Sequence, residues 1–135
     1  MLKRLNIQPW WLVAIFIGGA LGGAGRYWVS LQFAASATLW GTTAVNLLGS
    51  FLLTFTTYGL DMVLDLPDGL LLGLGTGVIG GFTTFSTLML NVVTGAVARP
   101  AFAAGMLLLN LLGGLALAWA GYGVAKLMER GRRLW

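Results

Sequence analysis

The chain has 135 residues, a formal net charge of +4, 58% hydrophobic residues and 9% charged residues. Soluble domains carry about 25% charged residues, so this composition excludes a soluble globular domain and implies an integral membrane protein. There is no His and no Cys, which removes the commonest general base, a thiol nucleophile, disulfides and most transition-metal sites.

The four acids, Asp61, Asp65, Asp68 and Glu129, lie outside the apolar runs. A membrane-embedded catalyst needs an acid or base in its core, so the chain is read as not an enzyme. The basic residues flank apolar segments, which makes anionic membrane lipid, and not nucleic acid, the expected partner.

Taken in order, the sequence predicts a first span over about 9–28, uncleaved, with Trp10 and Trp11 at one interface and Tyr27 and Trp28 at the other. Gly18 and Gly22, and Gly19 and Gly23, are small-xxx-small pairs that allow another helix to approach closely. Arg26 lies one turn beyond Gly22 and is the one charge expected near membrane depth. It either snorkels to the interface or draws anions to a pore mouth. A second span, about 39–58, carries Thr43, Asn46, Ser50, Thr54 and Thr57 at helical spacing. Such residues share a face, and that face must turn inward in lipid. Asn46 needs a partner. It is either interhelical glue or a donor to a desolvated anion.

An acidic turn around Asp61, Asp65 and Asp68 follows, with no calcium-loop spacing. The third span, about 69–98, is expected to break at Gly80-Gly81, because paired glycines weaken a helix. Thr83, Thr87 and Asn91 form a polar line, and Phe82 and Phe85 an aromatic line beside it. Irregular backbone at this depth is tolerated where it is buried in protein or lines a wet cavity. The stretch therefore reads as a site for a small polar solute or ion. Arg99-Pro100 marks a turn into a fourth span, about 101–128, whose strong polar residue is Asn110, open to the same two readings as Asn46.

Three motifs resemble the CrcB/Fluc family of small fluoride channels: Gly22-Gly23-Ala24-Gly25-Arg26-Tyr27, the run from Gly41 to Phe51 around Asn46, and Gly80-Gly81-Phe82-Thr83-Thr84-Phe85-Ser86-Thr87. The resemblance implies an all-α membrane protein of four transmembrane helices, assembled as an antiparallel, dual-topology dimer with two narrow pores. It implies a structural sodium ion at the dimer centre, held by the backbone carbonyls of Gly80 and Thr83. It implies a fluoride pore along Asn46, Phe85, Ser86, Thr87, Leu88 and Asn110, with Arg26 at its mouth. Phe85 would present its positive ring edge to fluoride. The chain departs from the family at Leu88, where a second phenylalanine is usual, and at Met106 and Asn110, where a tyrosine and a serine are common.

The function so implied is passive, fluoride-selective export across the inner or plasma membrane. The absence of a phosphate-binding loop and of a membrane-embedded acid favours a channel over a pump or exchanger. Two alternatives stand. Lys3, Arg4, Lys126, Arg130, Arg132 and Arg133 share one side while Arg99 lies opposite. That bias prefers one orientation, and so allows an obligate heterodimer with an oppositely oriented paralogue. A non-conducting membrane scaffold would share the glycine faces but would not need the break.

Overall fold

In the computed structural model of the chain, residues 8–33, 38–60 and 66–132 are described, and all their regular structure is helical. Lys3, Arg4, Asp61, Asp65 and Arg133 lie outside the described residues. Four helices are long and apolar enough to cross a membrane: Pro9–Leu31, Leu39–Gly59, Asp68–Ala98 and Pro100–Gly131. The last two run to 31 and 32 residues, well beyond the roughly 20 that a bilayer needs.

Helix α1, Pro9–Leu31, starts with proline in its first turn, where a missing N–H costs nothing. Helix α2 is Thr38–Thr54, prolonged by wider turns over Phe55–Leu60. The third span is two helices. α3 covers 68–82 and α4 is Phe85–Ala98. Arg99 alone, held by its N–H to the Gly95 carbonyl at 2.9 Å, separates α4 from α5, which covers 100–132.

α1 packs along α3, α2 along α5, and α4 folds back on the start of α5. Close backbone approach decides the first pairing. Gly18 and Gly22 are buried, and a Cβ at either would collide with the Gly73 or Val78 carbonyl oxygen. From the other side, a Cβ at Gly77 would stand 2.8 Å from the Ile15 carbonyl and one at Gly81 2.6 Å from that of Gly19. Without a hydrophobic driving force between helices in lipid, such contact is what holds them together. Gly23 has nothing within 4 Å of its Cβ direction. Of the two glycine pairs on α1, it is Gly18 and Gly22 that form the seam.

This packing relocates the break in the third span. Gly80 and Gly81 are helical, with Gly80 at φ −62° and ψ −37°. The interruption falls on the residues that follow: Thr83 is extended (φ −78°, ψ 157°) and so is Thr84 (φ −155°, ψ 117°). Of the paired glycines, Gly81 serves close packing on α1.

Among the described residues, a buried apolar cluster joins Leu39, Leu88, Val92, Ala103 and Met106. The outward face is apolar, with Phe16 78%, Val97 89% and Trp119 75% exposed, as befits a surface solvated by lipid.

Candidate functional site

The site is built around Thr84. A continuous helix would return the Thr84 N–H to the carbonyl of Gly80. Instead it donates to Asn46 Oδ1 at 2.8 Å, and Asn46 Nδ2 donates to the Thr84 carbonyl oxygen at 3.1 Å. One side-chain amide thus pairs with both backbone groups of one extended residue, as a neighbouring strand would. Thr84 also caps α4, its Oγ1 accepting from the Thr87 N–H at 3.2 Å. Its hydroxyl lies 3.0 Å from Thr87 Oγ1 and 3.3 Å from Ser86 Oγ. A threonine at a helix N-cap is favoured because it satisfies an otherwise orphaned N–H.

The polar stripe of α2 supplies the frame. Thr43 is buried, while Asn46, Ser50 and Thr54 are half-buried. Ser50 and Thr54 donate back to the carbonyls four residues earlier, at 2.8 and 3.2 Å. Thr57 leaves the stripe and is exposed, since the wider turns from Phe55 onward change the register of that face.

Asn110 is buried in α5 and completes the frame. Its Oδ1 accepts from Asn46 Nδ2 at 3.2 Å, and its own Nδ2 donates to Thr43 Oγ1 at 2.7 Å and to the Met106 carbonyl at 2.9 Å. Both hydrogens of the Asn46 amide are therefore used, one on Thr84 and one on Asn110.

Two recesses meet at this break. The first, of about 350 Å³, is lined by Arg26, Tyr27, Thr42, Thr84, Thr87 and Asn91, among others. The second, of about 240 Å³, is lined by Asn46, Thr83, Thr84, Phe85, Leu88 and Asn110, among others. Thr84 lines both. Arg26 is half-buried on the wall of the first. Asn91 donates from Nδ2 to Thr42 Oγ1 at 3.1 Å across that recess.

The residues expected to act together are thus divided. Asn46, Phe85, Leu88 and Asn110 share one recess with Thr83, while Thr87 and Arg26 share the other. The expected polar line Thr83–Thr87–Asn91 is cut, because the break rotates α4 relative to α3. For the same reason Phe82 and Phe85 are no aromatic pair. Phe82 stays on α3 beside Gly25, and Phe85 opens α4 with 63% of its surface exposed. Ser86 is exposed beside it. Leu88 is 1% exposed, packed in the apolar cluster beneath the recess.

Thr84, and Thr43 as a link to Asn110, escaped the reading of the sequence. A signal for Thr84 was present. A threonine immediately ahead of an apolar helical run is a favoured N-cap.

Among the described residues no group of His, Cys, Asp or Glu could hold a metal ion. A cation site here would draw on neutral oxygens such as backbone carbonyls. The Gly80 carbonyl suits one, because the Thr84 N–H is diverted to Asn46 and Gly80 is exposed.

Comparison with known proteins agrees with the sequence resemblance. Residues 13–122 match the family model described as CrcB-like protein, Camphor Resistance (CrcB). A fluoride-specific ion channel FluC of Gloeobacter violaceus is 47% identical over 119 residues, which is 84% of this chain and 94% of the relative. A fluoride-specific ion channel FluC 2 of Ligilactobacillus salivarius is 39% identical over 90% of this chain and 89% of its own length. A protein of the same name from Streptococcus pneumoniae is 42% identical over 87% of this chain and 94% of its own.

Proposed function

This chain belongs to the CrcB-like family, and we propose from that membership and from its site that it is a multi-pass membrane channel for fluoride, not an enzyme. The observation that carries the reading is the break. A bilayer-long span is interrupted at Thr83 and Thr84 between two recesses lined with hydroxyls and amides. The hydroxyls replace the hydration of a small anion, as pore linings do, while the Asn46 and Asn110 amides, whose hydrogens are bonded within the protein, hold the lining in place.

The fluoride path runs from Arg26 past Thr87 and Ser86 to Phe85, with Asn46, Leu88 and Asn110 forming the wall on the other side of Thr84. Phe85 offers a positive ring edge to the ion. Its exposure, like that of Gly80 and Ser86, supports a second copy covering this face, and the family resemblance supplies the antiparallel, dual-topology arrangement of the two. In that dimer the carbonyls of Gly80 and Thr83 from both copies would hold a central sodium ion, which supplies fixed positive charge between the pores. Transport is passive and outward across the cell's inner or plasma membrane. A negative-inside potential contributes about 2.3 kcal/mol per charge per 100 mV.

A second reading rests on the charge bias. Lys126 and Arg130 lie near the end of α5, and Arg99 immediately precedes its start. One orientation is then favoured, and an oppositely oriented paralogue would be the partner.

Fluoride release from liposomes holding only this chain, followed with a fluoride electrode and with chloride as control, tests the function. Rapid fluoride loss with chloride retained supports the self-sufficient homodimer. Release only after a paralogue is added supports the heterodimer. No release in either case leaves a scaffold and overturns the channel.

A further inference from the structure

We propose that Asn110 is a positioning residue: it sets the direction of a hydrogen-bond relay that runs through Asn46 and holds Thr84 extended at the break. The proposal rests on the fluoride-channel reading only for its flux assay.

The relay has one polarity, and both of its ends dictate it. At one end stand two carbonyls, which can only accept. Leu39 O accepts from the Thr43 hydroxyl at 2.7 Å, and Met106 O accepts from Asn110 Nδ2 at 2.9 Å. With its proton given to Leu39, the Thr43 hydroxyl is an acceptor for the second hydrogen of Asn110 Nδ2, at 2.7 Å. The Asn110 amide nitrogen is thereby turned toward Thr43 and Met106, and its oxygen toward Asn46. That oxygen requires a donor, and Asn46 Nδ2 supplies it at 3.2 Å. The remaining Asn46 hydrogen and its Oδ1 then face Thr84, where a carbonyl and an N–H await them at 3.1 and 2.8 Å. A flip of either amide would set nitrogen against nitrogen or oxygen against oxygen.

The surroundings raise what the relay controls. Asn110 is 7% exposed; it lines its recess with the buried Leu88 (1%) and donates to the carbonyl of the buried Met106 (4%). An unmatched amide is costly at such burial. Without Asn110, the Asn46 amide keeps one unpaired hydrogen and loses its anchor. Thr84 can then return its N–H to Gly80 and close the break. Asn110 therefore governs conduction from α5 without donating a hydrogen bond to the ion. No hydrogen of its amide is left to donate to an anion.

The test uses full-length, isotope-labelled protein in bilayers and reads two quantities. One is the NMR signal of the Thr84 amide and of the Asn46 side-chain amide. The other is fluoride efflux. In Asn110→Leu both signals are expected to shift, while the Asn91 side-chain amide, bonded to Thr42 in the neighbouring recess, stays in place. Efflux is expected to fall at least tenfold (about 1.4 kcal/mol). In a double-mutant cycle, Asn46→Leu/Asn110→Leu is expected to be no slower than Asn46→Leu alone, because both act through one amide. Deficits that multiply, or a loss of efflux with Thr84 unmoved, would show that Asn110 meets the ion directly and would overturn the proposal. Should Asn110→Leu not assemble, Asn110→Ala removes the relay without added bulk and is read by the same signals. A native chain that conducts no fluoride sinks the functional reading, while the NMR arm still decides the relay.

Discussion

Replacing Asn46 by Asp tests the clamp at the centre of the site with almost no change in shape. The aspartate keeps an oxygen for the Thr84 N–H, which lies 2.8 Å from Oδ1. It loses both donors, so the contacts to the Thr84 carbonyl and to Asn110 Oδ1, at 3.1 and 3.2 Å, become oxygen against oxygen. Inside membranes such bonds are worth about 0.6 kcal/mol each, so their loss alone costs about 1 kcal/mol, and the unpaired carboxylate beside two carbonyl oxygens adds to that. The charge matters more. A carboxylate about 5 Å from a passing anion, at an effective dielectric constant of about 20, adds about 3 kcal/mol to the barrier, or roughly a 200-fold slowing. Asn46→Leu removes the same donors with no charge, so it separates the two effects. Liposome efflux is the assay, with size-exclusion chromatography to confirm assembly. Asn46→Asp is expected to be far slower than Asn46→Leu at neutral pH. Native-like efflux in Asn46→Asp would remove Asn46 from the path and refute the reasoning.

Phe85→Ile takes away a ring edge worth about 0.5–1.5 kcal/mol and should slow fluoride efflux by roughly two- to tenfold while the oligomer survives; unchanged efflux would place Phe85 away from the ion. Gly22→Ala drives a methyl group into the Val78 carbonyl and should cost about 1–3 kcal/mol, seen as a lower melting temperature in detergent. Gly23→Ala meets nothing within 4 Å and should melt with the native protein. Arg26→Gln should reduce efflux in about 0.01 M salt, where the Debye length is about 30 Å, and match the native rate near 1 M, where it is about 3 Å; a deficit independent of salt would mean that Arg26 acts by contact.

The four spans are legible in the sequence because length and apolar content alone specify them. The polar stripe of α2 is legible for the same reason, as far as Thr54, since helical spacing puts Thr43, Asn46 and Ser50 on one face. The place of the break is not legible. Gly80-Gly81 is the weaker helix locally, yet packing on α1 keeps it helical, and the extended pair is Thr83-Thr84. What holds Thr84 open is Asn46, 38 residues away in sequence, and no local pattern reports so distant a partner. Asn110 could be recognised as a polar residue in an apolar run. That its amide faces Met106 and Thr43, and so points its oxygen at Asn46, follows only from the packing of α5 on α2.

A planar bilayer holding only this chain, with fluoride on one side and chloride on the other, tests the central claim most directly. The account expects current carried by fluoride alone, with a reversal potential that follows the fluoride gradient and ignores chloride. A reversal potential that tracks chloride would contradict it, and so would silence from the chain both alone and beside an oppositely oriented paralogue.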